Sequence, residues 1–242
     1  GYNLIAAANE MTSSRDLDVS GQLRTAFDRA YANSPIQLEL VTQSAGITKV
    51  EFYSGTNLVF TDTEAPYTFT TAPLSLGVKT FYTRLYVGNA YQLSNQIAVT
   101  VGEQLPYQGI AQSIPGTIEA GNFDEFEGGN GQQIAYFDSS KGNIGDYRTE
   151  EEVDVVMDTN EGPTVGWIDS GEWLEYSISV VESGYYTLSF RYASGSNLGG
   201  GPFRILVDDR VVASNVLVSQ TSNTDWNTYA TKSVTDIPFT SG

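Results

Sequence analysis

The side chains of this chain best suited to acid–base chemistry are carboxylates, because the sequence contains no histidine and no cysteine. Serine–histidine and cysteine–histidine nucleophiles, thiolate chemistry and zinc sites built from imidazole or thiolate are therefore excluded. Glycoside hydrolysis would need two carboxylates that face one cleft, about 5–10 Å apart. The candidates for such a pair are Asp169, Glu172 and Glu175.

The spacing of these acids argues against a catalytic pair. Residues three apart on a strand project to opposite faces, so neither Asp169 with Glu172 nor Glu172 with Glu175 is expected to face one cleft. The run of three glutamates at 150–152 is typical of solvated charge, and no phosphate-binding loop or nucleotide motif occurs. The sequence therefore predicts a chain that is not itself an enzyme.

Trp226 is the side chain best suited to bind a ligand. It lies between Asp225 and Asn227 in the polar segment 219–228, and a core tryptophan rarely has such neighbours. One face of a pyranose ring is a patch of C–H groups, which an aromatic ring covers while nearby polar groups bond the hydroxyls. Trp226 is therefore a candidate sugar-binding residue.

The other two tryptophans have a different context. Trp167 and Trp173 precede apolar residues two apart that continue to Val180, which is the pattern of a strand with a core face. We predict that both are structural. For Tyr147-Arg148 two interpretations stay open, because an arginine stacked on a ring serves equally in a scaffold and in a cleft wall.

Composition favours an all-β protein with an acidic surface. The 242 residues are enough for two sandwich domains of about 100 residues each, and 24 glycines accompany many alternating apolar positions. The net charge is −17, with most of the excess after residue 103. Such a surface repels phosphate backbones and anionic lipid, so we expect no nucleic-acid partner and no membrane partner.

Alternation of period two begins near residue 34 and continues to Val101. Apolar side chains two apart mark short strands, and Ser54-Gly55, Ala65-Pro66 and Gly88-Asn89 supply turns between them. About seven short strands predict an immunoglobulin-like sandwich. The segment resembles the bacterial Ig-like domains that space modules in secreted glycosidases. We assign 34–103 as an Ig-like spacer domain, and 1–33 as an N-terminal segment with short helical or irregular stretches, interpreted as the tail of a preceding domain.

Several motifs in the second half occur in a characteristic order: Ile114–Ala120, Ile134–Asp138, Gly142–Arg148, Glu152–Val155, Val165–Tyr176 and Thr221–Tyr229. Together they resemble family 6 carbohydrate-binding modules, such as those of secreted glycoside hydrolases that include agarases. The resemblance implies a jelly roll of two sheets over residues 104–242. The predicted fold is thus all-β, with two β-sandwich domains, an immunoglobulin-like sandwich followed by a jelly-roll carbohydrate-binding module.

The resemblance also implies site residues. Two aromatic rings of the family clasp a sugar in loops at one end of the sandwich, and they correspond here to Tyr136 and Trp226. The alternative for Tyr136 is an ordinary strand aromatic that alternates with Ile134.

A structural calcium ion is a further expectation from the resemblance. The family's opening strand carries two acids that help to hold the ion, and here Glu119 remains while the second position is Gly121. Backbone carbonyls and water could supply the six to eight oxygens that calcium takes. In the alternative interpretation, Glu119 is a solvated surface acid.

The end of the sequence also departs from the family. The family continues with one more strand, which brings an asparagine to the sugar, whereas this sequence stops at Gly242. We expect the natural polypeptide to continue by about 15–25 residues, the length of a turn and a strand. Since the chain starts at Gly1 without a methionine, we also interpret it as a piece of a longer, secreted or cell-surface protein.

Two functions remain open at this stage. The first is non-catalytic binding that targets an attached glycoside hydrolase to a neutral plant or algal polysaccharide, such as an agar-type galactan, a β-glucan or a xylan. The second is an extracellular adhesin or structural surface protein built from the same sandwiches. The first requires polysaccharide binding, and the second does not.

Overall fold

A computed structural model of the protein describes residues 17–242, and these residues form strands joined by turns. The one helical segment in this range is a single 3-10 turn at Tyr107–Gly109. No helix in the described range has the length and apolar character needed to cross a bilayer. The strands are β1 (Gln22–Thr25), β2 (Arg29–Tyr31), β3 (Gln37–Val41), β4 (Lys49–Ser54), β5 (Asn57–Asp62), β6 (Tyr67–Thr70), β7 (Gly77–Val87), β8 (Ala90–Leu93), β9 (Ile97–Gly102), β10 (Gln104–Leu105), β11 (Gln112–Ile114), β12 (Glu125–Phe126), β13 (Tyr136–Phe137), β14 (Val155–Asp158), β15 (Gly162–Val165), β16 (Trp173–Leu174), β17 (Ile178–Val180), β18 (Gly184–Ala193), β19 (Gly200–Val207), β20 (Arg210–Val218) and β21 (Tyr229–Phe239).

The chain divides into two compact units. The first unit contains the described residues up to Ile110 together with Glu119–Ser177, and the second contains Ala111–Ile118 and Ile178–Gly242. Each unit is described by itself below.

An immunoglobulin-like sandwich forms the first part of the first unit. One sheet has the order β1-β3-β6, and the other has the order β2-β9-β7-β4-β5, with β8 paired to β7. Alternate residues of both sheets fill one core, as the period-two pattern predicts; examples are Leu38 and Leu40 of β3, Val50 and Phe52 of β4, and Phe81 and Leu85 of β7. The predicted sandwich is therefore confirmed.

The first two strands lie before residue 34, where sequence analysis expected helical or irregular stretches. Leu23 of β1 is 1% exposed and packs in the sandwich core. Its amide donates to the side-chain oxygen of Asn95 at 2.7 Å, and its carbonyl accepts from the amide of the same side chain at 3.1 Å. The ladders to β3 and β9 therefore make residues 22–31 part of the sandwich. The part of the predicted N-terminal segment before residue 17 lies outside the described residues.

A second core forms in the part of the first unit that follows the sandwich. Phe123, Ala135, Tyr136, Val153 and Val155 are buried together. Short strands surround them in the pairs β10–β12, β13–β16 and β14–β15. The strand β10 comes one residue after β9 and pairs with β12, so the chain passes from the sandwich straight into this packed region.

The second unit is built from two antiparallel pairs, β18–β21 and β19–β20, and one parallel pair, β11–β17. Along β18 the burial alternates, so that Tyr186 and Phe190 are half-buried while Tyr185 and Ser189 are exposed. This alternation is that of a strand with one face toward the protein and one toward solvent. A turn at Asp208-Asp209 joins β19 to β20.

Candidate functional site

Trp226 stands on the loop between β20 and β21, and its side chain is 64% exposed. The loop does not continue either strand, because polar residues interrupt the alternation of apolar side chains from residue 219 to residue 228. An indole this exposed leaves a large apolar surface that a ligand could cover.

The loop is bound to the segment that follows β18. Ser194, which is 4% exposed, donates its amide to the hydroxyl of Thr221 at 2.8 Å. In return, the amide of Thr221 donates to the carbonyl of Ser194 at 2.9 Å. The side-chain amide of Gln220 donates to the carbonyl of Gly195 at 3.2 Å. These bonds fix the base of the loop against 194–195.

Asp225 organises the tip of the loop around its carboxylate. One oxygen accepts from the amide of Asn227 at 2.9 Å and from the hydroxyl of Thr228 at 3.0 Å. The other accepts from the hydroxyls of Ser222 at 2.9 Å and Thr224 at 3.2 Å. The bond from the Asn227 amide, with those from the hydroxyls, lowers the pKa of Asp225. The carboxylate therefore stays charged at neutral pH and ties together the residues before and after Trp226.

Tyr136 lies in a different environment from the one that a sugar-binding ring needs. Its side chain is fully buried, and its ring meets Phe123 edge to face with centroids 5.2 Å apart. The hydroxyl accepts from the amide of Glu152 at 2.8 Å, and burial raises the pKa of Tyr136. A ring enclosed on both faces offers no surface for stacking. The structure therefore places Tyr136 in the core, as the alternative interpretation has it, and we do not retain it in the binding surface.

Trp167, which the sequence predicts to be structural, is largely exposed, whereas Trp173 is partly covered and lies in the paired strand β16. Trp167 is 61% exposed and Trp173 is 37% exposed. The reason is that β15 ends at Val165, so the period-two pattern does not extend through Trp167. The chain turns there instead, and Trp167 has a positive φ of 48°. Trp167 is thus a second exposed indole on a turn.

Glu172 stabilises the turn that presents Trp167. Its carboxylate accepts from the amide of Asp169 at 2.8 Å and from the amide and hydroxyl of Ser139 at 3.0 and 2.8 Å. Asp169 and Glu172 therefore lie in one turn, where the rule of opposite strand faces does not apply. Because the oxygens of Glu172 accept hydrogen bonds from the backbone of these loops, we assign Glu172 a structural role.

Tyr147 and Arg148 form a scaffold. The guanidinium of Arg148 lies over the ring of Phe123 with 3.7 Å to the centroid, and its side chain is 8% exposed. It donates to Glu151 and to three backbone carbonyls, those of Gly121, Phe123 and Asp124. The hydroxyls of Tyr147 and Tyr107 lie 2.5 Å apart. Of the two interpretations left open for Tyr147 and Arg148, these contacts fit a structural scaffold and not a cleft wall.

Glu119, the predicted calcium ligand, lies beside the β14–β15 turn. A Cβ built on Gly162 would be 2.9 Å from its carboxylate oxygen. No group of three or more acidic side chains within residues 17–242 is arranged to hold a metal ion. Calcium at Glu119 would thus depend on carbonyl and water oxygens, and it stays a prediction.

Comparison with protein families accounts for both parts of the chain. Residues 28–100 match the bacterial Ig domain, and residues 145–240 match the carbohydrate binding module of family 6. The chain carries a bacterial Ig domain and a family 6 carbohydrate-binding module. The exposed Trp167 and Trp226 both lie within the matched part of this module.

Similarity to individual proteins is low. No curated protein matches the chain. Among solved structures, fibronectin(III)-like modules of Clostridium thermocellum CbhA are 27% identical over 34% of this chain and 93% of theirs, with a TM-score of 0.31. The sulfur carrier protein SoxY from Chlorobium limicola f thiosulfatophilum is 10% identical over 40% of this chain and 96% of its own, with a TM-score of 0.27. These TM-scores are too low to inform the function of the module.

Sequence reasoning missed Trp167 as an exposed ring of the module. A signal for it exists, because Trp167 follows Gly166 and precedes Gly171 within a short stretch that also contains Asp169 and Ser170. Glycine, aspartate and serine together are typical of a turn. A tryptophan inside a turn has no sheet to cover it.

Proposed function

We propose that the chain binds a neutral plant or algal polysaccharide, such as an agar-type galactan, a β-glucan or a xylan, and thereby targets an attached glycoside hydrolase to it. Carbohydrate binding itself follows from the family 6 module. The observation that carries the proposal is Trp226, an indole that is 64% exposed on a loop held in place by hydrogen bonds.

Stacking on a fixed aromatic ring explains how such a site binds a sugar. The C–H patch of a pyranose covers the indole and removes apolar area of both partners from water. Because the loop is already ordered by Asp225 and Thr221, little conformational entropy is lost on binding. Trp167 meets the same two conditions in its own unit, since it is exposed and its turn is held by Glu172.

The charge of the chain supports a neutral ligand. At a net charge of −17, the protein repels sulfated and uronate-rich polymers at long range. Neutral galactans, β-glucans and xylans carry no such penalty. The low pI of about 4.1 also suits a marine protein, which supports the agar-type galactan within this group.

Neither identified domain is catalytic, so in this proposal an attached domain carries out the cleavage. Bacterial Ig domains and carbohydrate-binding modules are typical of extracellular proteins. We therefore place the chain outside the cell or at its surface, with the Ig domain as a spacer next to a tethered hydrolase.

Isothermal titration calorimetry against neoagarohexaose, xylohexaose and laminarihexaose tests the binding proposal. We expect a Kd between about micromolar and millimolar for at least one of them, or about −4 to −8 kcal/mol. Trp226→Ala should weaken it about tenfold or more, since 1.4 kcal/mol of lost stacking is a factor of ten. Tyr185→Ala removes another exposed ring of the second unit and serves as the control. Unchanged binding by Trp226→Ala would remove Trp226 from the site.

A further inference from the structure

Gly195 lies directly under the indole of Trp226. A Cβ built on Gly195 would be 2.7 Å from Cε2, 2.9 Å from Nε1 and 3.0 Å from Cδ2 of that ring. The three ring bonds of Cε2 all lie in the plane of the indole, so a point this close to Cε2 and to two of its neighbours lies above the face. The backbone of residue 195 therefore covers one face of the ring.

The missing side chain of Gly195 is what allows this contact. Its φ does not lie in the positive range that favours glycine, so the backbone conformation suits an alanine equally well. The carbonyl of Gly195 accepts from Gln220, and the neighbouring Ser194 is bonded to Thr221, so the segment and the loop cannot easily move apart. A methyl group at this position would have to displace the indole itself.

We infer that Gly195 is a positioning residue that seats Trp226, so that the indole presents a single face to a sugar. The inference rests on the proposed function of Trp226 in polysaccharide binding. With one face on the backbone, the 64% exposure of the side chain belongs to its edges and to the opposite face. The ligand is then a pyranose with a continuous C–H face, stacked on the one face of the indole that the backbone leaves free.

Gly195→Ala tests this geometry, and Gly184→Ala is its matched control. Gly184 is also in the second unit without a positive φ, and a Cβ there would come no closer than 4.0 Å to Tyr186. We expect Gly195→Ala to weaken binding of the best hexasaccharide about tenfold, and Gly184→Ala to change it less than about twofold. Circular dichroism and the melting temperature show whether each variant is folded.

A double-mutant cycle separates positioning from general damage. In a Trp226→Ala background there is no indole to displace, so Gly195→Ala should produce no further loss of affinity. If Gly195→Ala lowers the affinity equally in both backgrounds, the inference is wrong, because the substitution would then act without Trp226.

Fluorine NMR distinguishes failure of the inference from failure of the proposed function. The protein is labelled with 5-fluorotryptophan, and the resonance of residue 226 is the one that disappears in Trp226→Phe. We expect Gly195→Ala, without any sugar, to shift this resonance, and Gly184→Ala to leave it in place. If the resonance shifts but no hexasaccharide binds the wild-type chain, Gly195 does position Trp226, and the proposed function is wrong. If Gly195→Ala leaves the resonance in place, Gly195 does not position Trp226, whatever the binding result.

Discussion

Glu51 is a carboxylate on the outer face of the larger Ig sheet, and it is only 7% exposed. The ammonium of Lys49 donates to one of its oxygens at 2.6 Å, and the hydroxyls of Tyr53 and Tyr86 donate to the other at 2.8 and 3.0 Å. Burial alone favours the neutral acid, but the bond from Lys49 and those from the two tyrosines outweigh it and lower the pKa of Glu51 from its ordinary value of 4.5.

Glu51→Gln should destabilise the Ig domain by about 1–3 kcal/mol, because the charged acceptor is lost and the amide NH2 cannot accept from the donors on its side, which are either Lys49 or both tyrosine hydroxyls. A lowered folded pKa gives stability that is present above pH 4.5 and is lost as the pH falls through the folded value. Urea unfolding at pH 7 and at successively lower pH measures both effects. The same pH dependence in Glu51→Gln and in the wild type would contradict this role.

Arg148 makes a second prediction at the scale of one residue. Its planar fork reaches three carbonyls and Glu151 at once, which the single ammonium of a lysine cannot do. We expect Arg148→Lys to cost about 2–4 kcal/mol of folding stability, as is usual when a buried ionic network loses its geometry. Chemical denaturation measures it, with Lys141→Arg on an exposed site as the control. If Arg148→Lys is as stable as the wild type, the guanidinium group of Arg148 is not needed for folding stability.

Gly121 belongs to the scale of the element, because it packs against the β14–β15 hairpin. A Cβ at this buried position would lie 2.6 Å from Cγ1 of Val155 and 2.8 Å from Cβ of Pro163. The acid that the family has at this place therefore does not fit here. We predict that Gly121→Ala costs about 1–3 kcal/mol through overpacking, measured by thermal and urea unfolding. Gly166→Ala, where no atom lies within 4 Å, should be close to wild type; equal stability of the two variants would count against this packing.

Strands of the sandwich could be predicted from the sequence, but the surroundings of Tyr136, Trp167 and Trp173 could not. The alternation of apolar and polar residues along β4 and β7 predicts which side chains face the core. Tyr136 and Trp173 lie in paired strands of only two residues each, too short for any period to show. For Trp167, the decisive fact is that β15 stops two residues earlier, and the end of a strand depends on its partner. Trp226 could be predicted because its loop is long and polar.

At the scale of the whole molecule, calcium tests how the acidic chain is stabilised. If an ion binds at Glu119, it stabilises the folded state by mass action, so calcium should raise the melting temperature and a chelator should lower it. Glu119→Gln should abolish the difference, and Glu64→Gln in the Ig domain should preserve it. If neither calcium nor the chelator changes the melting temperature, Glu119 is an ordinary surface acid and not a calcium ligand.

The central claim is that this chain holds a polysaccharide on exposed tryptophans and does not cleave it. The most direct measurement is calorimetric titration of the wild type, Trp226→Ala and Trp167→Ala with the three hexasaccharides, followed by an assay for new reducing ends in the same samples. We predict binding by the wild type, a loss of about tenfold or more in Trp226→Ala, and no new reducing ends. Equal binding by all three proteins, or release of reducing ends by the wild type, would contradict the account.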